Sequence, residues 1–262
     1  MSGPGKGKTP LLFLHGWAMT PAIWQASIAA LGESGHAVEI HAPALPGHGA
    51  HAASPGGASL AAWAEALAPA LPAGAALIGW SLGALLALEL ARIQPERVAR
   101  LILIGATARF VAAPDWPHGL DAATVEAFID DYERRPAATL RRFLALQTLG
   151  DDARRQLLPR LAAACVPHPD PAPPRPALAD GLRILAAADL RSGLAAIAQP
   201  VHIIHGAGDA LMPPAAAHWL AGALPRARLT LLENRGHALP LSSPAECAAL
   251  IRAHLDANGA PP

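Results

Sequence analysis

Short apolar runs recur along the chain, and most of them stop at a glycine, a proline or a histidine. Leu11 to His15, Val38 to His41, Ala75 to Gly79, Arg100 to Ile104, Val201 to His205 and Arg228 to Leu232 each have the length and near-continuous apolar character of a buried parallel strand. Leu82 to Ile93 keeps apolar residues at helical spacing and ends before Pro95. Pro244 to Leu255 reads as a closing helix, with Ser243 at its N-cap and Pro244 at its first position. Strands alternating with helices predict an α/β fold with a mostly parallel sheet covered on both faces.

That regularity breaks between about residues 113 and 190. Helical patterns run over Ala122 to Arg134, Ala137 to Thr148 and Asp152 to Ala164, followed by a proline-rich segment from Val166 to Pro176, with no strand signal. The reading is a helical cap, 113–190, inserted into a core made of 1–112 and 191–262. No internal repeat is visible.

Composition narrows the function classes. About half the residues are hydrophobic, 52%, enough to bury a sizeable core. Acidic and basic residues balance at 20 each, which argues against a nucleic-acid binder held by bulk charge. No run approaches the ~18 apolar residues of a membrane span, and the first ten residues lack the apolar stretch of a signal peptide. Cys165 and Cys247 are far apart and outside any metal spacing, so two reduced thiols in a cytoplasmic protein are expected.

Candidate chemistry begins at Gly79-Trp80-Ser81-Leu82-Gly83. A G-x-S-x-G between a strand and a helix suits a serine nucleophile on a tight, strained turn, because larger flanking side chains would strike the strand and helix. The hydroxyl then projects at a helix start, where the dipole favours developing negative charge. A small-residue turn is the plain alternative. A serine hydroxyl needs a base, and twelve histidines compete. His237 follows the last strand, at the carboxyl edge where Ser81 also emerges. His202 and His205 fall on a strand and read as packed core histidines. His36, His51, His118, His168, His218 and His254 read as surface residues. The base in turn needs a carboxylate to hold its tautomer. Asp209, in the turn after Val201 to His205, is the candidate. Glu233 is its rival, and a turn residue capping its own backbone is the bland reading. For the oxyanion, backbone N–H groups of Leu82 and of Trp17, in His15-Gly16-Trp17, are the expected donors. His15 itself reads as a structural hydrogen-bonding residue.

Taken together, H-G-W (15–17), L-P-G-H-G (45–49), G-W-S-L-G (79–83), G-A-G-D (206–209) and G-H (236–237) resemble the α/β-hydrolase superfamily across the whole chain. Within it, D-W-P (115–117), R-F-L-A-L-Q-T-L-G (142–150), G-L-R-I-L (181–185) and D-L-R (189–191) resemble the pimeloyl-[acyl-carrier protein] methyl ester esterases of biotin synthesis. The F-L-A-L-Q-T run is the most telling, since cap sequences diverge faster than core motifs. The resemblance implies an esterase without cofactor or metal that demethylates a pimeloyl chain on its carrier protein. Ser81 forms the acyl-enzyme and His237 activates water. It places substrate contacts at Trp17, Ser81, Leu82, Phe143, Leu144, Ala145, Leu146, Gln147 and His237.

Phe143, Leu144 and Leu146 offer apolar surface for a methylene chain, or else simply join cap to core. Arg134, Arg135, Arg141, Arg142, Arg154, Arg155 and Arg160 crowd the cap, opposed between 134 and 160 only by Asp151 and Asp152. An acidic carrier protein would be steered to such a patch, with Arg142, Arg155 and Arg160 as candidate docking residues. A solvated helix face in an arginine-rich chain is the alternative. Ala44 and His51 depart from the residues that many relatives carry around L-P-G, which touches loop structure, not catalysis. The short stretch before Leu11 leaves little room for an initial antiparallel hairpin.

Other readings remain open: a broad carboxylesterase for short acyl esters, a lactone or C–C hydrolase, or a non-catalytic binding module that kept the fold. The expected partner is a carrier protein, met by a monomer, with no nucleic acid and no membrane.

Overall fold

The computed structural model describes residues 8–32, 38–49, 56–167 and 169–257. Its strands are β1 (Thr9–Leu14), β2 (Val38–His41), β3 (Ala75–Trp80), β4 (Val98–Ile104), β5 (Val201–Gly206) and β6 (Ala227–Leu232). Its helices are α1 (Gln25–Gly32), α2 (Leu60–Leu67), α3 (Leu82–Ile93), α4 (Ala122–Arg134), α5 (Pro136–Leu146), α6 (Arg154–Ala164), α7 (Pro176–Ala187), α8 (Pro214–Ala223), α9 (Leu239–Ser242) and α10 (Pro244–Asp256). The six expected strands all form. Pro176–Ala187 was not expected as a helix, since its start lies in the proline-rich stretch. Pro176 takes the first helical turn, where a missing N–H does no harm.

The sheet runs in the order β2-β1-β3-β4-β5-β6 and every pairing is parallel. Burial explains the apolar runs. β3 is buried at all its positions, while the edge strands β2 and β6 are mostly half-buried. The chain leaves β1 for β2 and returns across it to β3, so the order reverses at β1. Right-handed crossovers then place α1 on one face of the sheet and α3 on the other. The gap between the carboxyl ends of β1 and β3 is the switch point where this class of sheet binds its ligands.

Four helices, α4 to α7, are inserted between β4 and β5. The sequence segments at the two ends of that insertion meet. Arg191 pairs with Asp189 at 2.7 Å and with Asp115 at 3.0 Å, and its guanidinium lies 5.5 Å from the centre of the Trp116 ring. Arg109 reaches Asp189 at 3.1 Å. The D-W-P and D-L-R segments thus form one ionic staple where the chain leaves and re-enters the core. No helix among the described residues is long and apolar enough to cross a membrane.

The histidines divide differently from expectation at one place. His218 is exposed and His118 lies half-buried against Trp116, whereas His254 is buried, not on the surface. α10 turns it toward the sheet, with its ring 5.6 Å from that of His202 and its Nε2 3.3 Å from the Pro200 carbonyl. His36, His51 and His168 lie outside the described residues.

Burial, the largest cause, pulls His15 and His202 down to about 3 and His48 and His254 to about 4, and nearby arginines add to it at His48, His202 and His254. Each is neutral in the folded protein and takes a proton near 6.5 when unfolded. Their contribution is therefore complete above about pH 6.5 and is lost as the pH falls toward 4. Urea unfolding should show stability declining steadily from pH 7 to 4. The double variant His202→Asn/His254→Gln should flatten that slope, and an unchanged slope would count against these rings.

Candidate active site

Ser81 sits between β3 and α3 with φ 57° and ψ −121°, a conformation that L-residues avoid and that costs about 1–3 kcal/mol. The turn is possible because the chains around it touch backbone to backbone. A side chain on Gly83 would strike the Leu14 carbonyl, and one on Gly79 would strike the carbonyl of Gly83. The peptide is held by Ser81 N donating to Ile104 O at 3.0 Å. The two glycines are therefore demanded by geometry, as the motif predicts.

The His15-Gly16-Trp17 loop, after β1, flanks this turn. A methyl group on Gly16 would lie 3.2 Å from Ser81 Cβ. His15 accepts from Leu45 N at 3.0 Å and its Nδ1 lies 2.9 Å from Gly16 O, so it shapes the loop and is structural. The Trp17 indole donates to Leu178 O in α7 at 2.7 Å and meets Tyr132 and Phe143 edge-on. Leu82 opens α3, and first-turn amides have no acceptor within their own helix. Leu82 thus follows Ser81 directly, and the loop that carries Trp17 touches the turn at Gly16.

His237 and Asp209 meet directly. His237 Nδ1 lies 2.7 Å from Asp209 Oδ2, and both side chains are buried. The ring lies 5.5 Å from that of Trp80, the residue before Ser81, and Trp80 Nε1 donates to His237 O at 2.9 Å. Glu233, the rival acid, is exposed. Burial alone would push the Asp209 carboxyl up. The charge and hydrogen bond of His237, with His205 and the Met212 amide, outweigh it and hold the carboxyl below its ordinary range. Its Oδ1 accepts from Leu211 N and Met212 N, both at 2.9 Å.

His205 has more to do than its reading as a packed core residue implied. Its Nε2 lies 2.7 Å from Met212 O and 3.5 Å from Asp209 Oδ2. Nε2–H therefore donates to the loop that holds the acid, and its Nδ1 has no partner among the described residues. Burial keeps the ring neutral. Nothing in a strand pattern distinguishes such a ring from one that only fills space.

Above the sheet, Phe110, Phe128, Phe143, Leu146, Leu182 and Leu211 help line an apolar cavity of about 80 Å³. Phe143 and Leu146 are the expected cap residues that reach it. Leu144 instead lines a groove on another face of α5, together with Leu140 and Cys165. Adjacent helical residues point about 100° apart, so the run cannot face the cavity as a block. Gln147, at the end of α5, is fully buried, and neither polar atom of its side chain finds a partner among the described residues.

The arginines of the cap are less free than their sequence density suggests. Arg142 pairs with Asp131 at 3.1 Å over the Phe128 ring, Arg135 shares Asp131, Arg141 faces Asp170, and Arg160 donates to Leu241 O at 2.7 Å. Asp151 does not oppose them at all. It is buried, and its carboxylate accepts from Gly236 N and Ala153 N. Arg154 and Arg155 are exposed, beside the exposed Leu158. No group of three or more His, Cys, Asp or Glu among the described residues is placed to hold a metal ion.

Asp209→Asn should lower kcat on a small ester by about 10³–10⁴-fold with KM little changed, since the amide can hold the imidazole in the wrong tautomer. Glu233→Gln should leave kcat unchanged. Steady-state kinetics on p-nitrophenyl butyrate reads both, and the reverse ranking would move the acid to Glu233.

Comparison with known proteins agrees with this fold. A model of the alpha/beta hydrolase family matches residues 11–250. A protein from Aromatoleum aromaticum named pimeloyl-[acyl-carrier protein] methyl ester esterase is 50% identical over 246 residues, 92% of this chain and 96% of that protein. One of the same name from Nitrosomonas europaea is 39% identical over 89% of this chain and 90% of its own. Among solved structures, an esterase from Exiguobacterium antarcticum superposes with a TM-score of 0.82 at 22% identity, covering 95% of this chain and 92% of that one, a likeness of fold. The chain belongs to the alpha/beta hydrolase family and groups within it with the pimeloyl-[acyl-carrier protein] methyl ester esterases.

Proposed function

We propose that this protein is a serine carboxylesterase that hydrolyses the methyl ester of pimeloyl-[acyl-carrier protein], releasing methanol and pimeloyl-[acyl-carrier protein] for biotin synthesis. The observation that carries it is the buried Asp209–His237 pair, whose imidazole packs against Trp80, the residue immediately before the strained turn at Ser81. The relatives' names supply the substrate.

In this reading Ser81 is the nucleophile, His237 the base and Asp209 the carboxylate that holds it. With Nδ1–H donated to Asp209, the Nε2 lone pair takes the Ser81 proton as Oγ attacks the ester carbonyl. The oxyanion forms between the N–H groups of Leu82 and Trp17, which are fixed before the reaction and need no rearrangement. His237 returns the proton to the departing methoxide, giving methanol. It next deprotonates a water, which attacks the acyl-enzyme and frees Ser81.

The cap, 113–190 against a core of 1–112 and 191–262, supplies specificity. Phe143 and Leu146 bury methylene groups at about 0.8 kcal/mol each. The unpartnered Gln147 amide suits a polar group on the same chain. The carrier docks as an acidic partner on the exposed side of α6, where Arg155 stands beside Leu158. Arg142 and Arg160, already engaged, act mainly through the field of the patch. The enzyme works as a monomer.

Mass spectrometry of methyl pimeloyl-carrier protein incubated with the enzyme should show loss of one methylene's mass, and none with Ser81→Ala. An intact carrier ester alongside brisk hydrolysis of p-nitrophenyl butyrate would support the broad-esterase reading instead. Arg155→Glu should reduce kcat/KM for the carrier-bound ester by about tenfold at low salt, while the small ester is unaffected. Equal effects on both substrates would remove this docking surface.

A further inference from the structure

The loop that bears His237 is fixed at successive peptides. Asn234 O accepts from Asp152 N at 3.2 Å, Arg235 O accepts from Gly208 N at 2.9 Å, Gly236 N donates to Asp151 Oδ2 at 3.1 Å, and His237 O accepts from the Trp80 indole at 2.9 Å. The Arg235 side chain adds an anchor on Ser243 Oγ at 2.8 Å. Two of the backbone anchors, those from Asp151 and Asp152, belong to the inserted helices and not to the core. The same turn presses on the acid loop. Gly150 and Gly208 approach so closely that a side chain on either would collide with the other's backbone, and one on Gly236 would strike the Leu149 carbonyl.

From this geometry we propose that Asp151 is a positioning residue for the catalytic base. Its carboxylate ties the cap turn between α5 and α6 to the peptide immediately before His237, so that cap and base move as one body. The inference rests on the triad reading and deepens it. One carboxylate spans the junction: Oδ1 caps Ala153 N at 2.8 Å and Oδ2 takes Gly236 N. Gly236 is buried, so no solvent replaces the lost acceptor. Without that acceptor the buried Gly236 N–H must turn toward another partner, which rotates the peptide. The rotation reaches the next residue, His237, whose Nε2 is the atom that takes the Ser81 proton in the triad reading. A displacement of about 1 Å at such a group costs on the order of 10²-fold in rate.

The test compares wild type, Asp151→Asn, Asp151→Ala and Ser81→Ala on p-nitrophenyl butyrate. Active sites are titrated to end point with a fluorophosphonate, so that unfolded enzyme is not counted. Per titrated site, Asp151→Ala should lose about 10–100-fold in kcat with KM within about twofold. Asp151→Asn, whose amide oxygen still accepts from Gly236, should recover most of it. The low-field proton resonance of the His237–Asp209 hydrogen bond should shift or broaden in Asp151→Ala and return in Asp151→Asn. Wild-type kcat per site in Asp151→Ala, with that resonance unmoved, would overturn the proposal even if the melting temperature falls. If the Ala variant does not fold, Asp151→Ser takes its place, since its shorter hydroxyl can still cap Ala153 N but does not reach Gly236 N, and wild-type kcat per site with an unmoved resonance in that variant would overturn the proposal. Residual turnover or unchanged labelling in Ser81→Ala would instead break the triad reading itself.

Discussion

The bond between His237 Nδ1 and Asp209 Oδ2, closed off from water, is the interaction around which this molecule is arranged. A carboxylate without water is stable only when its oxygens are fully engaged, and Asp209 meets that condition with two backbone amides on one oxygen and an imidazole on the other. His205 braces the loop that supplies one of those amides. The imidazole of His237 is thereby held in one orientation. The strain at Ser81 is tolerable for the same reason. The surrounding backbone is packed too closely to let the turn relax.

The cap is tied to the core at several separate places, each by a different kind of contact. An ionic staple joins its ends at Asp115, Asp189 and Arg191; the Trp17 indole reaches α7; and the Asp151 turn grips the base loop. Trp17 therefore serves two structures at once. Its backbone flanks the Ser81 turn while its ring fills the aromatic cluster with Tyr132 and Phe143. The inserted helices and the loops around Ser81 and His237 are thus joined by the same residues.

Charge on the cap shows how density along a chain misleads. The arginines from 134 to 160 look unopposed because their partners lie elsewhere in sequence: Asp131 on the preceding helix, Asp170 beyond the next one, and the Leu241 carbonyl in the core. The aspartates that stand among them in sequence behave differently, and Asp151 in particular turns inward to accept backbone amides. Arg154 and Arg155 face solvent beside Leu158, and Arg134, Arg135, Arg141 and Arg142 stay exposed although each has an acidic partner.

The sequence by itself determined the six strands, the place of the insertion and the glycine-framed serine, because these are written in local patterns: apolar runs, helical spacing and side chains that must be absent for backbones to touch. It also pointed to His237 and Asp209 on loops at the carboxyl edge, since strand order along the chain carries that edge. Tertiary structure alone decided that Asp209 and not Glu233 meets His237, that Phe143 and Leu146 reach the cavity while Leu144 turns away, that His254 is buried, and that Asp151 accepts from Gly236 N. Each of those depends on a contact across tens or hundreds of residues, or on which way one helix is rotated. No local pattern encodes a partner that distant, because burial and hydrogen bonding are settled only when the elements are packed.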